Sequence, residues 1–173
     1  MSEPGIGEVK EPQVGELADA FLKACARLGI LAATAESCTG GLIIAAMTDI
    51  PGSSSMVDRG FVTYSNEAKM EMLGVRAETL ATYGAVSRET ALEMAAGALA
   101  RSRAGIALAV TGIAGPDGGS EQKPVGTVWF GLVLKGRPAL AELHTFDNRG
   151  RDFVRRQTVL TALSLALTAL ADD

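Results

Sequence analysis

The chain has 173 residues, 47% of them hydrophobic and 21% charged, which is long and apolar enough to bury a core and excludes a disordered segment. Sixteen Lys and Arg against twenty Asp and Glu leave a net charge of −4, which argues against a nucleic-acid partner, because such proteins carry a basic footprint. The longest uncharged apolar stretch, 157–171, is shorter than the ~18 residues of a membrane-spanning helix, and a single histidine leaves a zinc site without its usual ligands.

Residues 1–13 are acidic and carry proline and glycine. They are expected to form a flexible arm and lack the basic start and apolar middle of a signal peptide. With two cysteines, Cys25 and Cys38, expected as reduced thiols, the chain is expected in the cytoplasm, without a metal or cofactor. The folded domain is expected over 14–173. From Val14, the apolar residues Leu17, Ala18, Phe21, Leu22, Cys25 and Leu28 recur at helical spacing until Gly29 stops the helix. The apolar run 30–35 reads as a buried strand, 36–41 as the turn that opens a helix over 42–47, and 49–59 as a loop rich in proline, glycine and serine. Residues 60–65 alternate as a strand. Asn66 is expected to cap a helix closed at Gly74, a short helix covers 77–82, and Ser87 caps a longer one reaching 102. A second buried strand over 106–111 leads into the glycine-rich 112–119. Strands over 127–134 and 140–146 form a hairpin around 135–138. The last helix carries Leu160, Leu163, Leu167 and Leu170 on one face. Strands alternating with helices predict a layered α/β/α sandwich around a mixed, mostly parallel sheet.

Three segments carry residues suited to chemistry. The turn containing Ser37, Cys38, Thr39, Gly40 and Gly41 follows a strand, where ligands bind in open α/β sheets. A helix opening at Thr39 or Gly40 would offer free N–H groups to a phosphate or an oxyanion. Equally, Ser37 or Thr39 could merely cap that helix. Tyr64 and Lys69, at a strand end and one turn into the next helix, can face one cleft, although a solvated lysine is the plainer reading. Thr111, Gly112, Ala114 and Gly115 begin a loop too rich in glycine for a mere connector, since ordering glycine costs entropy. It ends in neither a Walker loop nor a dinucleotide fingerprint. Arg151 and Arg155 stand four apart, share a helix face and can grip one anion. Arg149 and Arg156 read as solvated.

The segments AESCTGG (35–41), GFVTYSNEAK (60–69), GAVS (84–87), TGIAGPDGG (111–119) and KPVGTVWFG (123–131), in this order, resemble the CinA C-terminal domain family. The resemblance spans 14–170. Its best-characterised members are nicotinamide-nucleotide amidases, which hydrolyse the carboxamide of nicotinamide mononucleotide to nicotinate mononucleotide and ammonia in NAD salvage. The resemblance implies Ser37 as nucleophile, Lys69 as its general base and Tyr64 in the same hydrogen-bonded group. It also implies self-association as a dimer or trimer. The chemistry suits these roles. A serine needs a neighbouring base, and a lysine can be one when burial lowers its pKa. A Ser-His-Asp triad would rest entirely on His144, far from every motif. Backbone N–H groups at Cys38, Thr39 and Gly40 are expected to hold the oxyanion. Thr39, Thr111 and the loop with Gly112, Ala114 and Gly115 are expected to meet ribose or ring, and Arg151 and Arg155 the phosphate. Three alternatives stay open: Cys38 as nucleophile, an amidase for another amide, and a non-catalytic nucleotide sensor.

Overall fold

The computed structural model describes residues 13–171, so residues 1–12 of the expected arm, and 172–173, lie outside the described residues. Four helices stand where apolar spacing and caps predict them: α1 (Val14–Leu28), α3 (Asn66–Leu73), α4 (Ala77–Tyr83) and α5 (Arg88–Ala100). With α2 (Leu42–Thr48) and α6 (Arg151–Ala171) they flank one sheet of β1 (Ala32–Glu36), β2 (Val57–Val62), β3 (Ile106–Gly112), β4 (Thr127–Leu134) and β5 (Leu140–Thr145). Strand β2 begins at Val57, inside the expected loop, and ends at Val62, so Thr63 and Tyr64 follow the strand instead of finishing it. The cap of α3 is Ser65, not Asn66. Its Oγ accepts from the Ala68 N–H at 3.0 Å, and Asn66 becomes the first helical residue.

The strand order is β2-β1-β3-β4-β5. Strand β1 runs parallel to both neighbours, β2 and β3, while β4 is antiparallel to β3 and to β5. All strands but β4 therefore point the same way, which makes the sheet mixed and mostly parallel. The sheet is layered because β3 alternates by size. Ile106, Leu108 and Val110 face one core with α1, α2 and α6, whereas Ala107 and Ala109 face the other with α3, α4 and α5. Fully burying side chains such as Phe21, Ile43, Ile106 and Leu163 stabilises by roughly 1.5–3 kcal/mol each. On the α5 side small residues let the helix sit close. A Cβ at Gly131 of β4 would run into the Ala91 carbonyl of α5. No helix of the described residues is long and apolar enough to cross a membrane.

Candidate active site

After β1 the chain leaves for β2 on one side, and it later returns as β3 on the other. The crevice between β1 and β3 is therefore a topological switch point, the usual ligand position in such sheets. Ser37 follows β1 directly, and its N–H donates to Val110 O of β3 at 3.1 Å. The turn that presents it is held from beneath by Glu36. This fully buried carboxylate accepts from Thr39 Oγ1 at 2.7 Å and Thr34 Oγ1 at 3.1 Å, and from the N–H groups of Ile43 at 2.8 Å and Ile44 at 3.0 Å. The last two are first-turn donors of α2 that would otherwise lack acceptors. The helix starts at Leu42, as the expected range 42–47 has it and not at Thr39 or Gly40, after Gly40 at φ 59° and Gly41 at φ 106° have reversed the chain in conformations that favour glycine. Glu36 thus caps α2, and its N-terminus is not open to a phosphate. Neither Ser37 nor Thr39 is needed as a cap, and the Ser37 hydroxyl is left free for other contacts.

Lys69 is the partner of that hydroxyl. Its Nζ lies 3.1 Å from Ser37 Oγ, 2.9 Å from the Thr63 carbonyl and 3.5 Å from the Tyr64 carbonyl. Helix α3 delivers the side chain inward, where it is 1% exposed among neutral oxygens. Burial pushes its pKa below the ordinary 10.5, and the nearby Cys38 thiol opposes that shift only in part. The Cys38 thiol, beside Ser37, is pushed the other way. Burial raises it to about 12, with the Glu36 carboxylate adding to the rise and its own N–H, Arg155 and Lys69 opposing it. A thiol so shifted is protonated at neutral pH and a poor nucleophile. His144 is elsewhere, on edge strand β5 with Nε2 2.6 Å from Glu142 Oε1.

Two arginines reach the site from the first turns of α6. Arg151 donates to Gly115 O and to the Tyr64 hydroxyl, each at 2.9 Å. Arg155 donates from Nε to Cys38 O at 3.1 Å and from Nη2 to Thr39 O at 3.0 Å. A cavity of about 210 Å³ opens beside the dyad, walled by Ser37, Cys38, Tyr64, Asn66 and Lys69 on one side. Ala85, Val86, Thr111, Gly112, Ala114 and Arg151 wall the other.

The family model of the CinA C-terminal domain matches residues 14–170. The chain belongs to that family. It is 50% identical over 153 residues, 88% of this chain and 92% of the other, to nicotinamide-nucleotide amidohydrolase PncC of Escherichia coli strain K12. It is 56% identical over 133 residues, 77% of this chain and 80% of the other, to the protein of the same name from Enterobacter agglomerans. Among solved structures, the competence/damage inducible protein CihA of Agrobacterium tumefaciens superposes with a TM-score of 0.89 at 52% identity, covering 99% of both chains.

In this CinA domain the fold brings Ser37, Lys69, Tyr64, Cys38, Thr111, Gly112, Ala114 and Arg151 to one cavity. Thr39 is fully buried beneath it with its hydroxyl on Glu36. Gly40 N–H donates to Ser37 O at 3.0 Å, which leaves the Cys38, Thr39 and Gly41 N–H groups as the turn donors with no backbone acceptor among the described residues. Gly115 and Arg155 lie behind the wall, each bonded to groups that form it. The Tyr64 hydroxyl faces Arg151 while its carbonyl faces Lys69. Sequence reasoning gave no place in the site to Glu36, Asn66 or Val86. A carboxylate as the last residue of a wholly buried strand was the available signal for Glu36, since such a charge must find donors.

Proposed function

We propose that this chain hydrolyses the carboxamide of nicotinamide mononucleotide to nicotinate mononucleotide and ammonia, with Ser37 as nucleophile and Lys69 as general base. The observation that carries the reading is the 3.1 Å contact between Ser37 Oγ and a buried Lys69 Nζ. The names of the relatives supply the substrate. A neutral Lys69 amine takes the Ser37 proton as Oγ bonds to the amide carbon. Cys38 and Thr39 N–H receive the developing oxyanion. The resulting ammonium returns its proton to the departing nitrogen, the C–N bond breaks, and ammonia leaves behind an acyl ester on Ser37. Lys69 then takes a proton from water, which attacks the ester, releasing the carboxylate and restoring the serine.

The cavity of about 210 Å³ is smaller than the roughly 300–1,000 Å³ that encloses a whole drug-sized ligand. It suits the ring and carboxamide, with Thr111 and the loop from Gly112 through Gly115 against them. The ribose phosphate extends past Tyr64 toward Arg151, the exposed cation of the rim. The chain acts in the cytoplasm, as expected for two unpaired thiols, and it self-associates. Leu140, 61% exposed on edge strand β5, offers apolar surface for that contact, and sedimentation equilibrium reads the stoichiometry.

The test is turnover of nicotinamide mononucleotide in EDTA, following ammonia and nicotinate mononucleotide together. Wild type is expected to release both in equal amounts, and Ser37→Ala and Lys69→Ala to lose at least about 10³-fold in kcat. Cys38→Ala is expected to stay within about threefold of wild type, because a protonated thiol contributes no nucleophile. Loss in Cys38→Ala with retention in Ser37→Ala would overturn the assignment. Binding without turnover in folded wild type would make the domain a nucleotide sensor.

A further inference from the structure

Arg155 was expected to meet a phosphate, yet two of its donors point at the backbone of the nucleophile turn. We propose that Arg155 is a positioning residue that orients and polarises the two N–H groups receiving the oxyanion. The inference rests on the Ser37 reading of the site and adds to it a source for the donors' strength.

The argument follows the peptide planes. In a trans peptide the C=O of one residue and the N–H of the next are fixed in one plane and point oppositely. Arg155 Nε holds Cys38 O at 3.1 Å, so it fixes the plane whose other end is the Thr39 N–H. Arg155 Nη2 holds Thr39 O at 3.0 Å, and so fixes the plane that ends in the Gly40 N–H. That N–H donates to Ser37 O at 3.0 Å, the carbonyl of the plane that ends in the Cys38 N–H. One guanidinium therefore sits at the head of two hydrogen-bonded paths. One reaches Thr39 N–H through a single peptide unit, and the other reaches Cys38 N–H through two. Hydrogen bonds in such chains polarise one another, and a charged donor at the head strengthens the far end. Glu36 holds the same turn from beneath through Thr39 Oγ1 and the start of α2, so the turn is fixed between a carboxylate and a guanidinium. The arginine stands outside the cavity wall that Arg151 belongs to, where it orders the wall without lying on the substrate's path.

A positioning role separates from a binding role in the kinetics. Arg155→Lys and Arg155→Met are compared with wild type for kcat and KM on nicotinamide mononucleotide. They are compared also for affinity toward a pyridine boronic acid, which forms a tetrahedral adduct on a reactive serine, and toward the product nicotinate mononucleotide. Removing an oxyanion donor outright costs about 10²–10³-fold in kcat. Weakening two should cost about 10–100-fold in Arg155→Met, with KM and product affinity within about twofold of wild type and boronate affinity falling in step with kcat/KM. Arg155→Lys keeps the charge but cannot span both carbonyls as a fork, so its kcat should fall between. Urea unfolding of each variant confirms that the fold persists, and Arg155→Gln replaces the methionine variant should that one not fold. A tenfold rise in KM with kcat intact would make Arg155 a phosphate ligand and overturn the proposal, as would boronate affinity unchanged by the substitution. Wild type that binds boronate at Ser37 but leaves the nucleotide untouched would remove the substrate reading alone, because the boronate comparison still decides the role of Arg155.

Discussion

Lys69 is a strained ionisable group in the folded chain, because no carboxylate accompanies it among the neutral oxygens it touches. Its folded pKa lies below 10.5 through burial, whereas the unfolded chain titrates at the ordinary value. Between those two values the unfolded state binds more protons, so stability rises with pH across that window and levels off above 10.5. Lys69→Met abolishes the titration. Wild type should therefore gain stability relative to the variant as pH is raised from 7 to 10.5, measured by urea unfolding at each pH. Parallel curves would mean that Lys69 remains an ordinary ammonium in the fold. Under the proposed mechanism the same protonation sets the acid limb of kcat/KM, since only a neutral amine can take the Ser37 proton. That limb should fall below 10.5 and vanish in no variant that keeps the lysine buried.

At the scale of the element, α2 and the turn before it depend on one carboxylate. Glu36→Gln keeps the size of the side chain but puts an NH₂ donor where four donors converge. At least one of them then loses its acceptor inside the core, which costs about 1–3 kcal/mol. The midpoint of urea unfolding should fall accordingly, and kcat should fall with it as the turn loosens. An unchanged midpoint would mean that α2 is capped by other means. This element also marks how far the sequence was legible. Helix α1, α3, the hairpin β4–β5 and the buried β3 follow from apolar spacing and from glycine stops, which are local signals. The strand ending at Glu36, the glycine pair and the dyad candidates were readable in the same way. The start of β2 was not, because Val57 to Arg59 pairs with β1 at an edge where polar residues remain half exposed. Asp58 there is tied to the N–H and guanidinium of Arg103, a partner 45 residues away. The target of Arg155 was equally hidden, since charge and helical spacing say that an arginine reaches an anion or a carbonyl but not which one.

Across the molecule, α6 belongs both to the core and to the site. Leu163, fully buried on it, packs in the cluster shared with α1 and β3, while Arg151 and Arg155 extend from its first turns to groups that form the site. Leu163→Ala removes buried methyl groups and leaves a cavity, a loss of about 2–5 kcal/mol. Folded Leu163→Ala should retain wild-type kcat, and its activity and its tryptophan fluorescence should be lost at the same urea concentration. Activity lost well before fluorescence would show that α6 detaches on its own, as a separate cooperative unit.

The order in which the ribosome makes these parts follows from the same helix. Ser37, Lys69 and the glycine loop are all synthesised before Arg155, which comes 117 residues after the Cys38 carbonyl it holds. At about 5–20 residues per second that delay is roughly 6–23 s. A nascent chain can carry its serine and lysine through that interval while the guanidinium that holds the serine's turn has yet to be made. On the role proposed for Arg155, the chain would therefore gain reactivity late in its own synthesis, after every strand of the sheet has been made.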